Sequence, residues 1–491
     1  MLISKLIHFV LHPLPRIRKI IQLPFAILGF FLISLAIGCS SDENDEFVVN
    51  FDFDKIKERG KLIAITGFNA YSYFIYKGQP MGFEHDLVTK LADYLGVEVE
   101  FRVVKNIQMM FDMLNQGEGD LIAYNLTVTK KRLKKVTFSE HHHTARQVLV
   151  QRKPDNWRFK KVHQIERNLI RNPIDLIGQT VHVRAGSAHI ARLDHLSEEI
   201  GDDINVIEAN PEDSMEDLIR MVSEGEIEFT VADDNIAKLH LATYKNVDIN
   251  TYISFPQRIA WAVRKNSVQL LSEINKWLSG MKKKSDYYVI YNKYYRNRSA
   301  FARRVSSEYF SQTGGKISAF DDLIKKYSKE LNWDWRMLAS LIYQESQFKS
   351  DVNSWAGARG LMQLMPATAE LYGVEDLQDP HENLKAGISY LSYLDKFWSE
   401  MVPDSLERIK FVLASYNIGP GHIVDARNLA EKYGADPEIW FYNVEVYLLK
   451  KSSQRFYNDE VVKLGYAKGT ETVKYVKEVL DRFEHYKQFI G

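Results

Sequence analysis

Hydrophobic and polar positions follow two different patterns along the chain, and the change comes near residue 297. From residue 47 to residue 295, short runs rich in β-branched and apolar residues alternate with segments of helical period. The runs predicted as strands are 61–66, 97–104, 120–124, 147–152, 180–185, 228–233 and 259–265, and the predicted helices include 86–95 and 214–225. Strands separated by helices form α/β units with mostly parallel sheets. Two such series, one on each side of 152–172, predict two α/β lobes.

The second pattern is helical throughout. Residues 298–318 are polar, contain a Gly pair and lack strand signals, which predicts a connector. From residue 319 onward, nearly every segment has apolar residues at helical spacing. About 170 residues is a normal size for one domain. We therefore predict a two-lobed α/β domain over 40–297, followed by an all-α domain over 319–491.

Composition narrows the possible function classes. Lys and Arg total 64 and Asp and Glu also total 64, so the formal net charge is zero. A neutral chain lacks the excess positive charge with which proteins neutralise phosphates, and we predict no nucleic-acid partner. The single cysteine, Cys39, excludes an intrachain disulfide framework and any site with several thiolate ligands. We expect no metal and no cofactor.

The amino terminus has the pattern of an export signal. Basic residues precede an almost wholly apolar stretch over 20–38, and Cys39 is followed by a polar, acidic run. This order resembles a bacterial lipoprotein signal, in which the cysteine is acylated and becomes the first residue of the mature protein. An uncleaved membrane anchor is the alternative, because the stretch is about long enough to span a bilayer. In both cases residues 1–39 tether the chain to a membrane, outside the cytoplasm.

One carboxylate falls on the apolar side of a predicted helix. In the helix predicted over 335–347, Leu338, Leu341 and Ile342 recur at helical spacing, and Glu345 lies four residues after Leu341. Burial on that face raises the pKa of a carboxyl group, and a general acid for glycosidic-bond cleavage must be protonated. Spacing alone nevertheless favours an ordinary glutamate near the surface, because helix ends are uncertain by two or more residues.

Four ordered sequence blocks change that balance. They are ES at Glu345, GLMQLMPATA over 360–369, ASYNIGPG over 414–421 and ETVKYV over 471–476. Together they resemble the lysozyme-like domain of the family 1 lytic transglycosylases, with Ser415 interrupting the usual Ala-Tyr of the third block. The resemblance implies cleavage of the β-1,4 bond between MurNAc and GlcNAc in peptidoglycan without water, which leaves a 1,6-anhydro ring. Glu345 would protonate the leaving oxygen and then act as the base toward the C6 hydroxyl of the sugar.

The number of carboxylates near Glu345 in the sequence agrees with a reaction that needs only one. Most glycoside hydrolases need two carboxylates around the scissile bond, whereas anhydro-ring closure needs one acid/base and the sugar's own hydroxyl. Between Glu345 and Gln363 the chain offers only Asp351, which falls in a predicted solvated turn. A hydrolytic muramidase whose second carboxylate comes from elsewhere in the chain stays open as an alternative.

The same resemblance implies substrate-binding residues. Ser354 matches a serine near the reacting C6, and Asn417 matches an asparagine that bonds the substrate or positions the acid. Tyr475 matches an aromatic residue whose phenol could hold the proton of the catalytic carboxyl. The remaining matches are Gln363 and Met365, at positions that line the sugar groove, and Tyr416 in the third block. Met365 and Tyr416 are equally consistent with ordinary core packing.

The α/β half resembles the family 3 solute-binding proteins, which have the type 2 periplasmic-binding fold and bind polar amino acids. The segments that carry the resemblance are 82–101, 117–140, 181–189 and 230–234. The resemblance implies that Thr127 and Arg132 hold a ligand carboxylate, for which the planar fork of arginine is well suited. Asp233 would take an α-amino group, while Arg184 and Ser187 would approach from the second lobe.

Three adjacent histidines, His141, His142 and His143, depart from this family, which has proline and aromatic residues there. Three neighbours on regular structure cannot all face one metal ion, so a metal site is not the expected explanation. The departure puts the usual ligand chemistry in doubt. The ligand of this half is an amino acid, a cell-wall peptide, or absent altogether.

Together the two halves resemble a family of membrane-bound lytic transglycosylases whose solute-binding domain regulates the enzyme. We therefore predict an enzyme of the cell envelope, lipid-anchored on the periplasmic face of the outer membrane. The expected partners are peptidoglycan glycan strands, a membrane through the lipid anchor, and an amino-acid or muropeptide effector. The alternative is a solute-binding lipoprotein whose helical domain holds peptidoglycan without cleaving it.

Overall fold

The computed structural model describes residues 49–490, which all fall within one compact unit. The predicted export signal over 1–39, with Cys39, lies outside the described residues. Within residues 49–490, no helix is both long enough and apolar enough to cross a membrane.

The front half is built on two sheets, one in each lobe, and a small hairpin. The strands in chain order are β1 (Lys61–Gly67), β2 (Phe74–Tyr76), β3 (Gln79–Met81), β4 (Glu98–Val104), β5 (Leu121–Thr127), β6 (Thr137–Phe138), β7 (His143–Ala145), β8 (Gln147–Arg152), β9 (Thr180–Val183), β10 (Asn205–Glu208), β11 (Phe229–Asp233), β12 (Val247–Tyr252) and β13 (Gln257–Val263). All seven runs predicted as strands are present. The hairpin consists of β2 and β3.

Each sheet is mixed, so the expectation of mostly parallel sheets was wrong. In lobe 1 the order is β4-β1-β5-β13-β6, where β1 runs parallel to β4 and β5 but β13 runs antiparallel to β5. In lobe 2 the order is β10-β9-β11-β8-β12, where β8 runs antiparallel to β11 and β12. The chain enters lobe 2 through β8 and returns to lobe 1 through β13. Strands that arrive without a helical crossover are free to run against their neighbours.

Helices cover both lobes and make up the carboxyl-terminal region. They are α1 (Phe53–Arg59), α2 (Phe83–Leu95), α3 (Ile107–Asn115), α4 (Lys130–Leu133), α5 (Val162–Glu166), α6 (Ala188–Ile200), α7 (Met215–Glu224), α8 (Asp234–His240), α9 (Val268–Met281), α10 (Ser285–Tyr291), α11 (Arg298–Val305), α12 (Asp321–Leu331), α13 (Trp335–Ser346), α14 (Pro366–Leu371), α15 (Pro380–Trp398), α16 (Ser405–Ile418), α17 (Pro420–Lys432), α18 (Glu445–Lys450), α19 (Gln454–Tyr457) and α20 (Thr470–Phe489). In the carboxyl-terminal region, α13 lies at the centre of the core, with Leu338, Leu341 and Ile342 fully buried.

The segment predicted as a connector is packed on both sides. It begins with α11, which is capped by the Asn297 side chain. Phe301 and Phe310 belong to the core of the front half, whereas Ile317 belongs to the core of the helical region. Residues 298–318 therefore join the two halves through buried contacts and do not form an extended tether.

Lobe 1 and the helical region also share a buried boundary. Ile75 of β2 is 1% exposed and packs into the helical core. On α20, the Tyr486 hydroxyl donates to the Gly78 carbonyl oxygen at 2.7 Å, and the Gln488 amide donates to the Val103 carbonyl oxygen at 2.9 Å. The carboxyl-terminal helix thus reaches both the β2–β3 hairpin and the edge strand β4.

Candidate active site and ligand cleft

Glu345 lies in the last turn of α13. Asp334 caps the start of this helix by accepting a hydrogen bond from the backbone of Arg336, and the helix ends at Gln347, which has a left-handed φ of 53°. The Glu345 side chain is half-buried, next to the fully buried apolar face of the helix. The Glu345 carboxyl is therefore partly desolvated, although the spacing alone favours an ordinary glutamate near the surface.

Tyr475 of α20 is the hydrogen-bond partner of this carboxyl group. Its hydroxyl donates to Oε1 of Glu345. Burial raises the pKa of Glu345 to about 7, and the hydrogen bond from Tyr475 opposes that rise. A sizeable fraction of the carboxyl is therefore protonated near neutral pH, as a general acid requires. Asp351, the carboxylate that follows Glu345 in the sequence, is exposed in a turn.

Two predicted substrate residues brace the loop between α13 and α14. Oγ of Ser354 accepts a hydrogen bond from the backbone of Ala358 at 2.9 Å. Nε2 of Gln363 donates to the carbonyl oxygens of Val352 at 3.0 Å and Gly360 at 2.9 Å. Both side chains therefore hold the shape of the loop that follows Glu345. Within the described chain, Oε1 of Gln363 has no hydrogen-bond partner and stays available for another donor.

The third sequence block lies beside Glu345. The Tyr416 hydroxyl donates to the Met362 carbonyl oxygen at 2.7 Å. Burial is the main cause that raises the pKa of Tyr416, and the negative charge of the nearby Glu345 carboxylate raises it further. Oγ of Ser415 accepts the indole N–H of Trp398 at 2.8 Å, and both residues are fully buried. Ser415, the departure from the family pattern, therefore satisfies a buried donor that alanine would leave unpaired.

Asn417 has a partner that the sequence did not single out. The Thr472 hydroxyl donates to Oδ1 of Asn417 at 2.7 Å. Thr472 lies in the same block as Tyr475, one helical turn earlier, and is buried. Met365, which caps the start of α14, is 45% exposed.

The five residues predicted to hold a ligand in the front half line one small cavity between the lobes. They are Thr127, Arg132, Arg184, Ser187 and Asp233, and the cavity has a volume of about 40 Å³. Hydrogen bonds made by its two arginines join the lobes around it. Arg132 donates to the Thr127 carbonyl oxygen in lobe 1 at 2.9 Å and to the Gly186 carbonyl oxygen in lobe 2 at 3.2 Å. Arg184 donates to the Tyr124 hydroxyl and, at 2.8 Å, to the Lys105 carbonyl oxygen.

Two cleft residues were missed by the sequence reasoning. Nδ2 of Asn125 in lobe 1 donates to Oδ2 of Asp233 at 2.6 Å, and Nε2 of His189 lies 3.5 Å from Oδ1 of the same carboxylate. Asn125 lies on β5 just before Thr127, so its alternation with that residue is the signal that could have indicated it. The proposed amine acceptor is thus held by one residue from each lobe.

The three histidines lie where the chain approaches the crossover into lobe 2. His142 and His143 are buried, with their Nδ1 atoms 2.8 Å apart, whereas His141 is half-buried. Burial lowers the pKa of His143 to about 4. Burial also lowers the pKa of His142, so both buried rings are neutral at pH 7. Nε2 of His143 lies 3.2 Å from the amide nitrogen of Asn235.

Comparison with known proteins places the chain in a family. The model for bacterial extracellular solute-binding proteins, family 3, matches residues 62–297, and the model for the transglycosylase SLT domain matches residues 322–439. A membrane-bound lytic murein transglycosylase F from Desulfosudis oleivorans is 36% identical and covers 88% of this chain and 91% of its own length. The chain belongs to the membrane-bound lytic murein transglycosylase F family. The Vibrio cholerae member is 31% identical over 96% of this chain and 86% of its own.

Membership settles the class of activity. This family member is a lytic transglycosylase that acts on peptidoglycan, and its front half is a solute-binding domain. It associates with a membrane of the cell envelope. The predicted fold class, a two-lobed α/β domain followed by an all-α transglycosylase region, is confirmed. Among solved structures, a mutant ArgBP from T. maritima is 27% identical, with a TM-score of 0.41 over 49% of this chain and 98% of its own.

Proposed function

We propose that Glu345 is the single acid/base of this transglycosylase. Its proton passes to the oxygen of the leaving GlcNAc as the bond from that oxygen to C1 of MurNAc breaks. The C6 hydroxyl oxygen then bonds to C1, and its proton returns to the Glu345 carboxylate. One observation carries the proposal. The half-buried Glu345 carboxyl accepts a hydrogen bond from Tyr475, and burial raises the pKa of Glu345 to about 7. At that pKa one group can both give and take a proton near neutral pH.

The groove residues have supporting roles in this proposal. Tyr475 orients the carboxyl, and Ser354 and Gln363 hold the loop that borders the reacting sugar. Asn417, which is exposed, donates a hydrogen bond to the glycan. Tyr416 and Met365 supply apolar surface, Tyr416 beside the acid and Met365 from its half-exposed position.

We propose that the front half senses a small ligand with a carboxylate and an amino group. The support is chemical: Arg132 and Asp233, of opposite charge, line one cavity between two lobes. A groove of about 850 Å³ adjoins that cavity and shares Thr127, Arg132 and Ser187 with it. This volume suits an amino acid that extends into a muropeptide. Such a ligand can regulate the enzyme only if it binds one arrangement of the domains more tightly than another, and the size of the effect equals that difference in binding free energy.

We propose the following organisation for the whole chain. Residues 1–39 are a lipoprotein signal, and acylated Cys39 anchors the mature protein in the outer membrane. Residues 40–297 form the sensor, 298–318 the linker and 319–491 the enzyme domain. The order of basic, apolar and acidic segments around Cys39 supports the anchor.

The products of digestion test the reaction. We expect purified peptidoglycan to yield muropeptides that lack a reducing end and are lighter by one water than hydrolysis products, as measured by mass spectrometry. The Glu345→Gln variant is expected to release neither kind. Reducing products from the wild type would instead establish a hydrolytic muramidase. Bound but undigested peptidoglycan would establish the non-catalytic alternative.

Calorimetric titration tests the sensor. We expect L-alanine, L-arginine or a muramyl peptide to bind the wild type, and Arg132→Ala to weaken that binding at least tenfold. The reason is that a hydrogen bond from arginine to a carboxylate contributes about 1.5–3 kcal/mol. Lys134→Ala is the matched control, because Lys134 is exposed in the same basic run and lines neither cavity. A flat titration with all three probes would end the sensor proposal.

A further inference from the structure

We propose that Thr472 is a positioning residue for transglycosylation, which holds the side-chain amide of Asn417 so that its NH₂ group faces the glycan. The inference rests on the proposed function in one respect, since it takes Asn417 as a residue that touches the substrate. The proposal goes further in two ways. It makes Thr472 part of the site, and it says that Asn417 donates its hydrogen bond to the glycan.

The geometry begins with a buried hydroxyl. Thr472 is 1% exposed, and its hydroxyl donates to Oδ1 of Asn417 at 2.7 Å. Within residues 49–490 this is the hydroxyl's only side-chain hydrogen bond. A hydroxyl in such a place needs an acceptor, and Oδ1 is the acceptor end of the amide. If the amide were turned over, NH₂ would replace the oxygen and the hydroxyl proton would lose its acceptor.

The backbone around Asn417 is fixed as well. Asn417 lies in the last turn of α16, which ends at Gly419 with a φ of 93°. Pro420 then begins α17. Little conformational freedom is left to this residue except rotation of its side chain, and the bond from Thr472 removes that rotation. An amide ordered before the glycan binds does not have to be ordered during binding.

The consequence is a specific kind of recognition. Asn417 is exposed, and within the described chain its Nδ2 has no hydrogen-bond partner. With Oδ1 already engaged, the group offered to the substrate is a pair of N–H donors. The sugar atom that Asn417 recognises must therefore be an acceptor, a carbonyl, hydroxyl or ether oxygen of the glycan.

The same helix face carries both partners of the site. Thr472 and Tyr475 are three residues apart on α20, so their side chains point in the same direction. Tyr475 donates to Glu345 and Thr472 donates to Asn417. One helical turn therefore orients the acid and the substrate-binding amide together. This juxtaposition distinguishes Thr472 from an ordinary buried threonine.

The test compares substitutions that remove or keep the hydroxyl. We expect Thr472→Val to lower kcat/KM on soluble, uncrosslinked glycan strands about tenfold, and Thr472→Ser to recover at least half of the wild-type value. The position of the pH profile should not move in either variant, because the bond between Tyr475 and Glu345 stays. A profile that moves in Thr472→Val would show a general displacement of α20 and would overturn the proposal.

Two controls complete the experiment. In the Asn417→Ala background, Thr472→Val is expected to cause no further loss, because residues that act as a unit are not additive. Thr89→Val removes a helical hydroxyl that bonds a backbone carbonyl in lobe 1, and it should leave activity unchanged. Additive losses, or full activity in Thr472→Val, would refute the positioning role. Neither result would touch the role of Glu345, which Glu345→Gln tests separately.

Discussion

Replacing Glu345 by glutamine is expected to lower kcat on peptidoglycan about a thousandfold. General acid–base catalysis contributes about 10²–10⁴ in rate, and in the proposed mechanism Glu345 supplies both the acid and the base. The amide keeps the shape of the carboxyl and still accepts the hydrogen bond from Tyr475, so substrate binding and the fold should persist. The measurement is the release of soluble muropeptides, together with a binding assay on insoluble peptidoglycan. Activity above a tenth of wild type would remove Glu345 from the mechanism.

The pH dependence of the wild type follows from the same pKa. The acid must begin protonated, and because burial raises its pKa to about 7, kcat/KM should fall as the pH rises through about 7. Tyr475 donates to the carboxylate and thereby lowers the pKa. Tyr475→Phe should therefore shift this fall to higher pH. A shift to lower pH would mean that the phenol supports the protonated form.

The Glu345→Gln substitution should raise stability above neutral pH although it removes activity. A carboxyl whose pKa is higher in the folded state than in the unfolded chain binds its proton more tightly when folded. Between about pH 4.5 and pH 7, ionisation of Glu345 therefore favours unfolding, and stability falls as the pH rises through that window. Glu345→Gln should remove this effect and raise the free energy of unfolding at pH 8 by about 3 kcal/mol relative to the wild type. At pH 4 the two proteins should be nearly equal.

The sequence could predict Glu345 but not all of its neighbours, for a physical reason. The spacing of Leu338 and Leu341 puts Glu345 on the apolar face of α13, but spacing alone favours an ordinary surface glutamate, and it is the resemblance carried by the four ordered blocks that singles Glu345 out. Tyr475 is 130 residues away and could be assigned only through resemblance to a family. Thr472 gives no signal of its own, because a threonine in the first turn of a helix is ordinary. Only the packing of α20 against α16 gives it a partner.

In the front half, too, the sequence predicts local elements but not the contacts and strand directions that depend on distant parts of the chain. Local β-rich runs are enough to place β1, β5 and β11, because burial and β-branched residues act over a few positions. The direction of β8 and β13 depends on where the chain crosses between the lobes, which no local pattern records. Ile75 likewise has the pattern of a strand residue of the front half. Its neighbours in the helical core come from beyond residue 317.

The β2–β3 hairpin connects that boundary to the active site. Its turn consists of Lys77 and Gly78, with φ of 51° and 75°, a conformation that favours glycine. The tip meets Phe348, three residues after Glu345, together with Tyr343 and the buried Tyr486. Phe348 itself has a φ of 60°. A non-glycine residue in that region is held there by its surroundings, and the hairpin is part of what holds it.

Gly78→Ala is therefore expected to lower both stability and activity. A Cβ at Gly78 would come within 2.6 Å of the Phe348 ring, 2.8 Å of the Tyr486 hydroxyl and 3.0 Å of the Tyr343 ring. Overpacking of this kind costs about 1–3 kcal/mol, and a left-handed alanine costs about 1 kcal/mol more. We expect the free energy of unfolding to fall by about 3 kcal/mol and kcat to fall at least tenfold, since the segment after Glu345 must shift.

Gly60→Ala separates the cost of overpacking from the cost of backbone strain. It puts an alanine into the same left-handed conformation but brings its Cβ against no other atom. Gly60 has a φ of 72° at the end of α1, and a Cβ there meets nothing within 4 Å. The control should therefore lose about 1 kcal/mol of stability and keep its full kcat. Chemical denaturation and muropeptide release, both measured well below the melting temperature, give the comparison. Equal kcat values in the two variants would mean that the hairpin does not support the acid, and that lobe 1 only adjoins the enzyme domain.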